Sequence, residues 1–197
     1  MTRRTGTIPT DYFEGMYRDN ADPWRFTTSD YERAKYAATI ASLRRERYAS
    51  ALEIGCSIGV LTHELARRCD ALLAIEPVSV ALEAAKQRNR DQPHVTFRQG
   101  VVPADYPEGS FDLVVLSEVA YYLAIPDLER LVDQVGASLR DSGNIVLVHW
   151  LGLTDYPLTG DQAADTFCNR AAPFAEAVEQ TRNADYRLDV LQARSAV

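Results

Sequence analysis

The chain contains 197 residues, of which 46% are hydrophobic and 25% are charged, as in an ordinary globular protein. This length predicts one domain with a core large enough to need no disulfide staple, and the composition excludes disordered and collagen-like chains. The formal net charge of −7 argues against nucleic-acid binding through a broad basic face. The same charge is compatible with a small cationic substrate.

The sequence carries no pattern of a membrane or secreted protein. Its apolar runs fall far short of the roughly 18 residues that a membrane helix needs, so no membrane insertion is expected. The first residues are basic, but no apolar segment of a secretory signal follows them. The three cysteines (Cys56, Cys69 and Cys168) cannot all pair, and none forms a C-x-x-C motif. We therefore expect a cytoplasmic protein with reduced thiols.

The first predicted elements lie before residue 50. The first ten residues are polar and are expected to be frayed. The proline and the Thr-Thr-Ser run within residues 22–29 predict a turn. Ser29 and Glu32 have the spacing of a capping box, which predicts a helix from Asp30 to about Arg45.

Strands and helices then alternate along the chain. Apolar runs predict strands over residues 49–54, 71–75, 95–98, 111–117 and 145–149. Helical patterns cover residues 58–68, 79–90, 126–140 and 159–172. The alternation indicates a parallel sheet with right-handed crossovers. Two further strands, over residues 176–182 and 186–193, are expected to form a hairpin at the sheet edge, which gives an α/β fold with a mostly parallel seven-stranded sheet.

The loop after the first strand is the most informative segment. Gly55 allows a tight turn and a close approach of the backbone to a ligand, and Gly59 lets the following helix pack on the strand. The second strand ends in Glu76, whose carboxylate can accept both hydroxyls of a ribose. These features predict a nucleoside-containing cofactor across the strand ends. A dinucleotide is poorly supported, because Ser57 interrupts the glycine pattern that binds a pyrophosphate.

A competing match is the nucleophile elbow of α/β-hydrolases. Residues 55–59 also read G-x-S-x-G, and an acid and a histidine follow, for example Asp112 and His149. However, a hydrolase elbow normally follows several strands, whereas one predicted strand precedes this loop. The chain is also short for that fold, so the serine hydrolase is a remote alternative.

Four blocks of sequence carry a more specific signal when they are read together. They are Asp22-Pro-Trp-Arg with Tyr31-Glu-Arg; Leu52-Glu-Ile-Gly-Cys-Ser-Ile-Gly-Val-Leu-Thr; Phe111-Asp-Leu-Val-Val-Leu-Ser-Glu-Val; and Tyr121-Tyr-Leu. In this combination the chain resembles the nodulation protein S (NodS) type of class I S-adenosylmethionine-dependent methyltransferases. It departs from their motif E/D-x-G-x-G-x-G at Ser57.

The resemblance implies a fold and an activity. The fold is the Rossmann-like class I methyltransferase fold in a single domain, with residues 1–28 as an entry segment and residues 29–197 as the core. The cofactor is S-adenosyl-L-methionine, with S-adenosyl-L-homocysteine as its product. Enzymes of this type N-methylate the free amine of a deacetylated chito-oligosaccharide during Nod-factor synthesis. No feature of the sequence fixes the acceptor, so a small-molecule O-methyltransferase and a cofactor-binding protein without transfer activity remain alternatives.

The resemblance and the position of the glycine loop together predict the cofactor-binding residues. Loop residues should surround the methionine part and the ribose, strand-end residues should contact the ribose and adenine, and Ser117 should contribute backbone contacts near the sulfur. An entry-segment arginine is expected to pair with the methionine carboxylate. The predicted set is Trp24, Arg33, Glu53, Gly55, Cys56, Gly59, Glu76, Pro77, Val78, Gly100, Val101 and Ser117.

The acceptor side is predicted at the ends of the fourth and fifth strands. Glu118 is the expected base or cation anchor for an acceptor amine, and His149 is a second candidate base near neutral pH. Of the two successive tyrosines at this point, Tyr122 is predicted to line the acceptor pocket. No His/Cys/Asp cluster has metal-ligand spacing, so no metal is expected. The predicted partner is a small-molecule or oligosaccharide acceptor and not a nucleic acid, and the oligomeric state stays open.

Overall fold

The computed structural model describes residues 2–194. Its helices are α1 (Thr10–Asp19), α2 (Asp30–Ala41), α3 (Val60–Ala66), α4 (Ser79–Arg88), α5 (Ile125–Ser138) and α6 (Gly160–Ala171), with a short 3-10 turn at Ala120–Tyr122. Its strands are β1 (Ala51–Ile54), β2 (Leu72–Glu76), β3 (Val95–Gln99), β4 (Phe111–Ser117), β5 (Leu139–Trp150), β6 (Ala175–Arg182) and β7 (Tyr186–Ala193).

Across the described residues the strands form a seven-stranded sheet in the order β3-β2-β1-β4-β5-β7-β6. Strands β1 to β5 pair in parallel. Strand β7 is antiparallel to both of its neighbours, β5 and β6. This architecture confirms the predicted α/β fold with a mostly parallel sheet and an antiparallel hairpin at its edge.

Helices cover both faces of the sheet, and this burial sets the position of the site. On one face α5 and α6 contribute side chains such as Leu128 and Phe167 to the core. On the other face α2 and α3 contribute side chains such as Tyr36 and Leu65. Residues 113–116 of β4 belong alternately to the two clusters and are completely buried. The carboxyl ends of β1, β2 and β4 therefore meet at one edge of the sheet, beyond the apolar side chains of the two layers.

The segment before α2 differs from its prediction. The expectation of a frayed start is wrong, because Ile8 is buried and its backbone N–H donates to the carbonyl of Tyr122 at 2.9 Å. The guanidinium of Arg3 likewise donates to the carbonyl of Tyr156 at 2.7 Å. Helix α1 was not predicted at all. Only Tyr17 of this helix is buried, so α1 depends on contacts with distant residues that a local sequence pattern does not reveal.

Two element boundaries also differ from the sequence expectation. Helix α2 ends at Ala41 rather than near Arg45. Strand β5 begins at Leu139 rather than near residue 145, and residues 140–143 form an irregular stretch of its pairing with β4. Ser142 in that stretch adopts a φ of 57°, which is a left-handed conformation.

A stability prediction follows from the start of α6. The Thr159 hydroxyl accepts the N–H of Gln162 at 3.1 Å, and the Gln162 side chain accepts the N–H of Thr159 at 3.0 Å. We expect Thr159→Ala to lower the free energy of unfolding by about 1 kcal/mol, because the first turn loses its cap. Thr159→Ser keeps the hydroxyl and should retain most of the stability. Urea unfolding measures both variants, and equal losses for the two would contradict the capping role.

Candidate active site

A cavity of about 410 Å³ opens at the carboxyl ends of β1, β2 and β4. Its volume is in the range of small-molecule sites, and its position is where open α/β sheets bind ligands. Helices α1 and α2 and the segment between them cover it from the opposite side. Much of the lining is aromatic, and these side chains are Phe13, Tyr17, Trp24, Phe26, Tyr31, Tyr121, Tyr122, Trp150 and Tyr156.

The two glycines of the loop after β1 have different roles. Gly55 has a φ of 75° and lines the cavity, and a Cβ there would lie 2.4 Å from Cγ2 of Val119. Only glycine permits this close approach. Gly59 also has a φ of 75°, but a Cβ there would meet the backbone of Ala85 on α4 at 2.9 Å. Gly59 therefore allows α3 to pack against α4 and does not line the cavity.

Glu76 is a buried carboxylate at the wall of the cavity. Its two oxygens accept the backbone N–H groups of Ser57 at 2.9 Å and Val78 at 3.1 Å. Burial raises the pKa of Glu76 to about 7, and these two hydrogen bonds oppose that rise. A carboxylate oxygen can accept more than one hydrogen bond, so each oxygen keeps an acceptor position for a ligand. Glu76 is thus placed to bind hydroxyl groups.

The structure brings together a large part of the predicted site. The predicted residues that line the cavity are Trp24, Gly55, Glu76, Pro77, Gly100, Val101, Ser117, Glu118 and Tyr122. They come from the entry segment, the carboxyl ends of four strands and the 3-10 turn. The chain order of these elements separates the residues widely, and the parallel sheet collects them at one edge.

Three residues that were predicted to contact the cofactor lie behind the cavity wall. Cys56 packs against Ala74 and Leu82, and Val78 is buried in a separate small apolar cluster. Glu53 is also buried, its Oε2 has no hydrogen-bond partner, and burial raises its pKa to about 7. These side chains shape the loop from inside, so their predicted direct contacts with a cofactor are not supported by their positions.

Arg33 does not occupy the predicted position either. Its side chain is exposed and forms an ion pair with Asp30 on the same turn of α2, outside the cavity lining. Pairing of this arginine with a cofactor carboxylate therefore has no support in the geometry. Trp24 does line the cavity, where it stacks on Phe26 and packs edge-on against Tyr17.

Glu118 is held on both carboxylate oxygens. Oε1 forms an ion pair with the ammonium of Lys35 from α2. Oε2 accepts the Tyr121 hydroxyl at 2.7 Å and the backbone N–H of Trp150 at 2.8 Å. The residue has a φ of 61°, which is uncommon outside glycine, and its carboxylate lies at the cavity wall.

His149 is placed differently from its predicted role. The imidazole is completely buried outside the cavity lining, and Nε2 accepts the backbone N–H of Ala120 at 3.3 Å. Burial lowers the pKa of His149 to about 4. A histidine in this position stays neutral at physiological pH and has no access to the cavity. Its placement therefore argues against a role as general base.

The geometry also contradicts the serine-hydrolase alternative. The hydroxyl of Ser57 hydrogen-bonds to the hydroxyl of Tyr17. Asp112 lies near the amino end of β4, where it accepts the N–H groups of Ala49 and Ser50, both at 2.9 Å. This is the opposite edge of the sheet from Ser57, so the acid and the serine belong to different environments.

Sequence reasoning missed three cavity residues of α2, which are Tyr31, Glu32 and Lys35. Lys35 is 1% exposed and pairs with both Glu32 and Glu118, and the Tyr31 hydroxyl is buried without a hydrogen-bond partner. The spacing of Tyr31 and Lys35 in the sequence was the signal that could have identified them as neighbours. Residues four apart share a face of a helix, so the predicted helix already placed these two side chains together.

Two features are absent from the range that the structure describes. Between residues 2 and 194, no helix combines the length and the apolar character that crossing a bilayer requires. In the same part of the chain, no three His, Cys, Asp or Glu side chains are grouped so that they could hold a metal ion. The expectation of a metal-free site stays a prediction.

Comparison with known proteins gives consistent matches. The profile of the family Nodulation protein S (NodS) matches residues 15–151. Nodulation protein S of Rhizobium tropici is 33% identical over 140 residues, which are 69% of this chain and 59% of that protein. Nodulation protein S of Bradyrhizobium diazoefficiens is 33% identical over 150 residues, which are 76% of this chain and 66% of that protein. The aligned part is thus less than two thirds of either relative.

A solved structure shares the fold over almost the whole chain. It is the N-methyltransferase NodS from Bradyrhizobium japonicum WM9 in complex with S-adenosyl-L-homocysteine, with a TM-score of 0.84 and 23% identity. The match covers 95% of this chain and 100% of that chain. It confirms the class I methyltransferase fold that the sequence predicted. With a family profile that matches more than half of its residues, the chain belongs to the Nodulation protein S (NodS) family.

Proposed function

We propose that this protein is an S-adenosylmethionine-dependent methyltransferase that N-methylates an amine of a sugar, such as a deacetylated chito-oligosaccharide, or of a related small molecule. The observation that carries the proposal is a single cavity that joins Gly55 and Glu76 to Glu118. Strand β1 lies between β2 and β4, so the cavity connects a hydroxyl-binding carboxylate to a second carboxylate on the other side of the glycine loop.

The lining residues fit S-adenosylmethionine. Glu76 offers two buried carboxylate oxygens for the ribose hydroxyls, and Gly55 removes the side chain that would obstruct a close ligand. Pro77 and Val101 line the cavity beside Glu76 and supply apolar surface for the adenine. Trp24 offers an aromatic face that favours a cationic sulfonium.

When bound, S-adenosylmethionine supplies an electrophilic methyl group on a sulfonium sulfur. The chain's own task is to place the acceptor in line with that group and to exclude water, for which its aromatic wall is suited. The acceptor nitrogen attacks through a free lone pair, so the amine reacts in its neutral form after losing its proton to solvent, and the nitrogen becomes positively charged as the new bond forms. The Glu118 carboxylate, fixed at the cavity wall, stabilises that developing charge.

The environment of the two candidate bases favours an amine over a hydroxyl acceptor. A sugar hydroxyl is a weak acid and needs strong base assistance, whereas a neutral amine is already a good nucleophile. His149 is buried away from the cavity, and Glu118 is engaged by three donors. This arrangement is better suited to anchoring a cation than to deprotonating an alcohol.

The cellular setting belongs to the same proposal. A net charge of −7 suits a cationic amine acceptor. Cys56, Cys69 and Cys168 are free thiols, which is usual in the reducing cytoplasm. We therefore place the reaction in the cytoplasm, with a small molecule or an oligosaccharide as the acceptor.

Cofactor binding is the first test. S-adenosylhomocysteine should bind with a micromolar Kd, about −8 kcal/mol. Glu76→Ala should weaken binding about tenfold or more, because a charged hydrogen-bond acceptor is worth ~1.5–3 kcal/mol. Isothermal titration calorimetry measures both proteins, with Glu83→Ala on the surface of α4 as the control that keeps normal affinity. Absence of binding to the unmodified protein would refute the proposal.

The affinity should also depend on pH. The raised pKa of about 7 means that Glu76 is largely protonated at pH 6 and largely ionised at pH 8. The ionised form is the better acceptor for ribose hydroxyls, so affinity for S-adenosylhomocysteine should rise with pH across this window. Calorimetry from pH 6 to 8 measures the rise, and Glu76→Gln should remove it. A rise that persists unchanged in Glu76→Gln would assign the titration to Glu53.

Transfer activity tests the acceptor side. With a glucosamine tetramer as acceptor, Glu118→Gln should lower kcat roughly 10²-fold, because the developing cation loses its counter-charge. Binding of S-adenosylhomocysteine should change little. Glu83→Gln provides the matched surface control. Mass spectrometry locates the methyl group, and methylation on oxygen alone, or full activity of Glu118→Gln, would contradict this part of the proposal.

A further inference from the structure

Helix α2 places a buried ammonium against the carboxylate that faces the acceptor. The side chain of Lys35 is 1% exposed, and its Nζ forms ion pairs with Glu118 and, at 3.0 Å, with Glu32. A buried charge is costly unless it is paired, and here one cation is shared by two carboxylates. With both carboxylates ionised, the cluster of Glu32, Lys35 and Glu118 has a formal charge of −1, although burial raises the pKa of Glu32.

The hydrogen bonds of Glu118 divide cleanly between its two oxygens. Tyr121 and the backbone of Trp150 both donate to Oε2, while Lys35 pairs with Oε1. With two donors, Oε2 is saturated, whereas Oε1 retains an acceptor position. The ion pair with Lys35 thereby fixes the orientation of Oε1. The backbone of Glu118 also adopts a left-handed conformation, which costs free energy and persists where surrounding contacts hold the residue.

We propose that Lys35 is a positioning residue that fixes the Glu118 carboxylate so that Oε1 is presented to the acceptor amine. The inference rests on the proposed function, in which Glu118 stabilises the methylated nitrogen. Lys35 also balances one of the two carboxylates that it contacts, so the other carboxylate is left to face one cationic nitrogen. The competing explanation is that Lys35 only ties α2 to the sheet.

A double-mutant cycle separates these explanations. With the glucosamine tetramer, Lys35→Met should lower kcat about 10- to 10²-fold, and Glu118→Gln about 10²-fold. If Lys35 acts through Glu118, the double variant should be no slower than Glu118→Gln alone. Losses that multiply in the double variant would overturn the proposal, because Lys35 would then act independently of Glu118.

The chain offers a matched control cycle. Its other lysine, Lys86, pairs with Glu83 at 2.7 Å on the surface of α4, away from the cavity lining. Lys86→Met and Glu83→Gln should leave kcat unchanged, singly and together. In the Lys35 series, KM for S-adenosylmethionine and the Kd for S-adenosylhomocysteine should stay within about twofold of the unmodified protein. A large loss of cofactor affinity in Lys35→Met would indicate a merely structural role and overturn the proposal.

A second measurement needs no acceptor. Glu118 accepts the backbone N–H of Trp150, so that amide reports whether the carboxylate is in place. In Lys35→Met, amide hydrogen exchange at Trp150 should accelerate at least tenfold, while the amide of Val115 inside β4 keeps its protection. Unchanged exchange at Trp150 would overturn the positioning role. If the unmodified protein does not methylate the tetramer, the proposed function fails, and the exchange measurement still decides the role of Lys35.

Folding of the variant needs a safeguard, because Lys35→Met leaves two carboxylates close together. If that variant does not fold, both proteins of the comparison carry Glu32→Gln. One of them keeps Lys35, and the other also carries Lys35→Met. The ion pair of Lys35 with Glu32 is absent from both proteins of this comparison, so the loss of the ion pair with Glu118 is measured without it. The proposal predicts the same loss of kcat and the same faster exchange at Trp150, and the absence of both would overturn it.

Discussion

Burial of the central strands on both faces determines where this protein can bind a ligand. Residues 113–116 of β4 are completely buried, and β4 pairs directly with β1. Helices occupy both faces, so the strand ends are where polar groups can leave the core without losing hydrogen bonds. Gly55, Glu76 and Glu118 stand at those ends. The need to cover two faces of one sheet thus concentrates the chemistry at its carboxyl edge.

Three acids near that edge differ mainly in their partners. Glu53 is buried with an unpartnered oxygen, Glu76 is held by two backbone N–H groups, and Glu118 is paired with Lys35. Burial raises the pKa of Glu53 and Glu76 to about 7, so ligand hydroxyls compete with protons at Glu76. Glu118 instead has a fixed counter-ion. The same side-chain type is therefore suited to binding neutral hydroxyls at β2 and a cation at β4.

The sequence predicted those features that depend on local pattern and missed those that depend on packing. The apolar runs identified the strands. Gly55 was predicted from the loop after β1, and Glu76 was predicted from its position at the end of β2. Arg33 was wrongly expected in the site because the sequence did not show which face of α2 is turned toward the cavity. Two residues along a helix rotate by roughly 200°, so Lys35 faces the cavity where Arg33 faces solvent. The prediction that His149 is a base in the site has no support for a related reason, since Ala120 and Tyr121 cover the imidazole.

The range of the family match includes only part of the cavity lining. Residues 15–151 include the glycine loop, Glu76, Lys35 and Glu118, which together form the proposed cofactor side and the amine anchor. Other parts of the cavity lining lie outside that range, in the segment before α1, at Phe13 and at Tyr156. These groups contact aromatic side chains of the matched range, and the rings of Phe13 and Tyr122, for example, have centroids 4.8 Å apart. The profile therefore covers the proposed amine anchor but only part of the wall around it, so the acceptor that this wall selects does not follow from membership of the family.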